Sequence, residues 1–121
     1  MALRRILLST TLLLALAGTA TAQISPVEGN WACIADIDGS KSGILTVFAG
    51  SYGYASANYQ SAASGTGNAQ LASDGLTFID GNLREKAGVE VGLLSFDAEA
   101  RDVLVLRTVE KPILTCRPRR P

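Results

Sequence analysis

The sequence predicts an all-β protein: a small antiparallel up-and-down barrel closed by one disulfide. Three observations carry this. Short runs suited to strands arrive about every 8–12 residues, with turn signals between them. No run beyond residue 22 has the apolar period of a helix. Two cysteines, Cys33 and Cys116, stand near the two ends of the strand-bearing stretch. A bond between them joins the first strand to the last and closes the sheet.

The elements follow in order. Asn30 to Asp36 alternates, with Trp31, Cys33 and Ala35 on one face. Asp38-Gly39 is a tight-turn signal, and the hairpin returns through Gly43 to Phe48. Gly50-Ser51 turns the chain into a strand from Tyr52 to Tyr59. From Ser61 to Gly75 the composition shifts to Ser, Ala, Gly, Thr and Asn, which reads as a loop with a short strand at Ala69 to Ala72. Asp74-Gly75 launches Leu76 to Asp80, and an irregular segment follows from Leu83 to Gly88. Val89 to Phe96 and Asp102 to Val109 form a hairpin around the polar turn Asp97 to Arg101. Lys111-Pro112 interrupts it, and Ile113 to Cys116 is the closing strand. The basic tail, Arg117 to Pro121, is too rich in proline for a sheet interior.

Residues 1–22 read as a secretory signal peptide. Arg4 and Arg5 precede an apolar run from Ile6 to Ala17, and Ala20-Thr21-Ala22 is the small-residue exit. The run is too short, and too broken by Ser9-Thr10-Thr11, to span a bilayer. Thr19 stands where a lipoprotein carries its cysteine, so the expectation is a soluble periplasmic or secreted bacterial protein. Residues 23–121 then make one domain with no transmembrane segment, expected to be a monomer. Losing Arg4 and Arg5 turns a formal charge of zero slightly negative, which argues against nucleic-acid capture. In an oxidising compartment the cysteine pair closes a loop of about 84 residues, worth roughly 4–5 kcal/mol on the chain-entropy model.

The chain has no histidine. That removes every imidazole base, nucleophile partner and metal ligand, and both cysteines belong to the disulfide. No glycine-rich phosphate loop leads from a strand into a helix. The expectation is a non-enzyme with no catalytic residue, metal or cofactor. Asp36-Ile37-Asp38-Gly39-Ser40 departs from a calcium loop in its glycine position and in Val47, where a bidentate acid belongs. It reads as a solvated turn. Asp97, Glu99 and Asp102 crowd one turn with Arg101, and a charged turn is again the simpler reading than a pair of catalytic acids.

Aromatic residues are the candidate contacts. In an extended chain Tyr52 and Tyr54 share one face, and Gly53, Ala55, Ala57 and Tyr59 share the other. With the small-residue face inward, a barrel has room for a small apolar ligand lined by Trp31, Phe48 and Phe78. In a barrel this short, filling of that space by loops or larger neighbours is the favoured arrangement. Tyr52 and Tyr54 then face outward and, with Tyr59, are candidate protein contacts.

Gly29-Asn30-Trp31 ahead of a meander resembles the Gly-x-Trp signature of lipocalin-like barrels. It is also similar to the opening of the small periplasmic metalloprotease inhibitors of Gram-negative bacteria. The lipocalin resemblance implies a tryptophan at the barrel base beneath an arginine from the last strand, a part for Arg117 or Arg107. The inhibitor resemblance implies a plug into a protease, for which Gln23 to Glu28 or the 61–75 segment is available. The chain departs from lipocalins in length and in lacking their helix, and from the inhibitors in its distant cysteines. Trp-x-Cys early and Thr-Cys-x-Arg late resemble exported proteobacterial proteins, a likeness that implies no activity. The leading expectation is a non-catalytic binding module of the bacterial envelope for a protein or small apolar ligand. Alternatives are a periplasmic protease inhibitor and a structural protein that self-associates through strand edges and tyrosines.

Overall fold

The computed structural model describes residues 25–119. The signal-peptide reading and the last two residues of the basic tail lie outside the described residues. Eight strands form a closed barrel in sequence order, every neighbour antiparallel. They are β1 (Gly29–Ala35), β2 (Lys41–Phe48), β3 (Ser51–Ser56), β4 (Gly65–Ala72), β5 (Gly75–Phe78), β6 (Val91–Phe96), β7 (Asp102–Arg107) and β8 (Pro112–Pro118). One helical turn, α1 (Asn82–Glu85), interrupts the connection from β5 to β6.

The seam is where the cysteines predict it. Cys33 and Cys116 face each other in register between β1 and β8, bonded, with Cα atoms 3.9 Å apart. Both are buried. The disulfide is compatible with an oxidising, exported location. Among the described residues no helix is long and apolar enough to cross a membrane.

Several elements differ from the sequence reading. β3 ends at Ser56 rather than Tyr59, and β8 runs on through Arg117 and Pro118, which pair with Ala32 and Trp31 instead of belonging to the tail. Residues 65–68 are strand rather than loop, because β4 pairs with β3 from Tyr54↔Gly65 to Ser51↔Asn68. The turn between β2 and β3 is Ala49-Gly50, both at positive φ (51° and 87°), one residue earlier than expected. That is the two-residue geometry whose twist suits a hairpin. The segment read as irregular holds α1, which buries Leu83 and leads to the fully buried Val89. Proline stands at both ends of β8, where its missing N–H disturbs the ladder least.

Both ends of the barrel are covered. The lead from Ser25 folds beneath β1: Val27 is fully buried and its carbonyl accepts the Trp31 Nε1–H at 3.0 Å. Ser25 Oγ reaches the Ala72 carbonyl, and Glu28 Oε2 accepts the Ala49 N–H. Leu83 and Val89, from the β5–β6 connection, belong to the same buried cluster as Val27 and Trp31. An up-and-down barrel sorts its connections by end. Those after β1, β3, β5 and β7 form one end, called here the loop end. The connections after β2, β4 and β6, with both described termini, form the terminal end.

Candidate binding surfaces

A cavity for a small apolar ligand is one expectation for the barrel interior. The faces of β3 are the reverse of that reading. Tyr52 and Tyr54 point inward and are 3% and 5% exposed, while Gly53 and Ala55 lie on the outer face. The pairing decides this: Tyr54 stands opposite Leu45 and Tyr52 opposite Val47, both buried on β2. Tyr52 meets Phe78 edge to face with ring centroids 4.9 Å apart. Its hydroxyl donates to the Asp80 carbonyl at 2.8 Å, and the Tyr54 hydroxyl bonds Ser42 Oγ. Burial pushes both phenols above their ordinary pKa, so both keep their protons.

The space is filled, as favoured, but by this strand's own tyrosines rather than by loops. Glycines on the neighbouring strands make the room. A Cβ at Gly67 would stand 2.6 Å from the Tyr52 ring, and one at Gly43 would stand 2.8 Å from that of Tyr54. Trp31 and Phe78 are core residues too, at 2% and 0% exposure. Phe48, expected to line the cavity, is instead 72% exposed at the terminal end of β2.

Neither Arg117 nor Arg107 takes the place over Trp31 that the lipocalin resemblance implies. Arg117 pairs in register with the exposed Ala32, and its guanidinium binds Asp97 on the outer face. Arg107 closes the far end of β7. Trp31 has the Val27 carbonyl for its indole N–H instead.

The terminal end is organised by Asp97. Its Oδ1 accepts the backbone N–H groups of Glu99 and Arg101 at 2.9 and 3.0 Å. Its Oδ2 accepts Arg101 Nε at 2.9 Å and Arg117 Nη1 at 2.5 Å. The backbone bond from Arg101 and the guanidinium of Arg117 hold the carboxyl down to about 2. An acid so strongly ionised has no proton to give at neutral pH, so its chemistry is that of a clamp between the β6–β7 turn and β8. Beside it lies an open hollow of about 500 Å³ lined by Ala100, Arg101, Asp102, Arg117 and Pro118.

The terminal end exposes Phe48 and Phe96, the last residues of β2 and β6, and the loop end exposes more. Each of its four connections presents one exposed large apolar residue: Ile37, Tyr59, Ile79 and Val109, at 90%, 90%, 54% and 80%. These are half of the exposed large apolar residues among those described. Their turns are held by hydrogen bonds. Asp38 Oδ1 accepts both the N–H and the hydroxyl of Ser40, which lowers its pKa, and Thr115 Oγ1 donates to Asp36 at 2.7 Å. Asn58 Oδ1 accepts Gln60 N–H beside Tyr59, and Thr108 N–H bonds the Lys111 carbonyl across Val109. The tips are therefore set before any partner arrives, which lowers the ordering entropy lost on docking.

Of the sequence-predicted contacts, only Tyr59 lies in this group. Ile37, Ile79 and Val109 were missed because single apolar residues in polar turns look incidental. The signal was the topology, since alternate turns of a meander share an end. Comparison of the chain with protein-family models, with curated proteins and with solved structures gives no significant match.

Proposed function

We propose that this protein is a non-catalytic binding module of the bacterial envelope that takes a protein partner at the loop end of its barrel. The observation that carries it is the set of four exposed apolar side chains, one on each connection of that end. Isolated exposed apolar residues are ordinary, but a set gathered on one end and held in bonded turns is the composition of a docking surface. An interior ligand loses its support, because Tyr52 and Tyr54 occupy the room it needs. The inhibitor reading loses both plugs within the described residues. Val27 is tucked under the barrel, and most of the 61–75 segment is β4 and the start of β5.

All three lysines of the chain, Lys41, Lys86 and Lys111, sit at this end, so amine-reactive cross-linking reads it directly. Cross-linking in intact envelopes is expected to join a protein to these lysines. Ile37→Asp combined with Val109→Asp is expected to cut that yield at least about tenfold, the effect of losing roughly 1.4 kcal/mol or more. Equal yields from wild type and variant would overturn the assignment to the loop end.

A further inference from the structure

Charge at the loop end says more about the partner than its apolar tips do. Two connections carry a Glu-Lys dipeptide: Glu85-Lys86 after α1, and Glu110-Lys111 beside Val109. All four residues are exposed, and none is in an ion pair among the described residues. The β1–β2 connection repeats the theme, with Asp38 and Lys41 flanking its turn. The charges that do pair lie elsewhere or inside a connection: Arg84 with Glu90, Arg101 with Asp97 and Glu99, and Arg117 with Asp97.

A surface made for a strongly basic or acidic partner presents one sign of charge. This one presents both signs side by side, around apolar side chains that face solvent. With both signs on one end, a two-fold axis can set the lysine of one copy against the glutamate of the other, which an end of a single sign cannot do. Contacts of that kind are isologous, the form taken by most dimers. The closed barrel also removes edge-to-edge pairing as a route to self-association, since each of the described strands has two partners.

Resting on the reading of this end as a protein-docking surface, we infer that its partner is a second copy of the same chain, joined end to end. The sequence reading expects a monomer. The loop end makes a weak pair instead, because one end of a small barrel offers less area than a standard interface. Association then falls in the micromolar-to-millimolar range.

Sedimentation equilibrium of the chain beginning at Gln23 tests this, with two oppositely charged variants. One is Glu85→Lys with Glu110→Lys, the other Lys86→Glu with Lys111→Glu. These side chains are solvent-exposed, so both variants are expected to keep the wild-type far-ultraviolet spectrum and melting point. The wild type is expected to rise from one chain toward two with concentration. Each variant alone stays single, and an equal mixture of the two regains the pair. Wild type that remains a single chain at every concentration overturns the inference, as does a mixture no better than either variant alone. The two readings fail separately. A single chain whose loop-end lysines still cross-link a different protein leaves the docking surface standing and the second copy excluded. A single chain with no such cross-link removes both.

Discussion

Gly67 and Tyr52 show how a residue's neighbours set its role. The tyrosine ring lies where a Cβ on Gly67 would stand, 2.6 Å from Cε1, with the Asp80 carbonyl 2.5 Å from the same point. Gly67→Ala therefore pushes against both a ring and a backbone, and is expected to lower stability by about 1–3 kcal/mol, the usual range for overpacking. Urea unfolding of wild type and variant checks it, and a change within error would mean the ring is not seated on β4. From the sequence, the glycine reads as part of a loop and the tyrosine as an outward contact. Neither reading holds, because the two residues explain each other across fifteen positions of chain.

Among the elements, the β6–β7 turn has the most definite chemistry. Asp97 gathers two backbone N–H groups and two guanidiniums, and so ties the turn to the end of β8. Its folded pKa, about 2, lies below its ordinary 3.8. Protons accordingly favour the unfolded chain. The stabilising contribution is whole above about pH 4 and is lost as pH falls through about 2. Asp38 and Asp80 are lowered in the same sense by Ser40 and by Asn68. Asp97→Asn should lower stability at pH 7 and flatten the dependence of the unfolding midpoint between pH 4 and 2. An unchanged slope would assign acid sensitivity to other carboxylates. The turn itself was legible in the sequence as a cluster of charges between two firm strands. The Arg117 contact was not, because it joins elements twenty residues apart.

At the scale of the whole molecule, one covalent bond reinforces the ladder between two strands that meet only after the chain has gone round the barrel. The cysteines are 83 residues apart in sequence, so the bond constrains a large loop of the unfolded chain. Cys116→Ser is expected to lower stability by up to roughly 4–5 kcal/mol in oxidising buffer on the chain-entropy model. Against reduced wild type the difference should be small. Equal midpoints for variant and wild type under oxidising conditions would show that the bond does not form in solution. The β1–β8 pairing brings the cysteines together in register, and the bond in turn holds the seam.

The sequence by itself determined the class of fold, the meander and its closing bond. Strand periodicity is local, hairpin turns have local chemistry, and two cysteines in a chain have only each other to pair with. It also marked Trp31, Cys33 and Ala35 as one face, which the barrel keeps inward. Only the tertiary structure decided which face of β3 is inside. Period-two alternation divides a strand into two faces without saying which is buried, and the choice falls to the volumes that neighbouring strands leave empty. Gly43 and Gly67 leave that volume, and Tyr54 and Tyr52 take it. The loop end is settled in the same non-local way. Ile37, Tyr59, Ile79 and Val109 are scattered along the chain and fall on connections of the same end because alternate connections of a closed barrel must share an end.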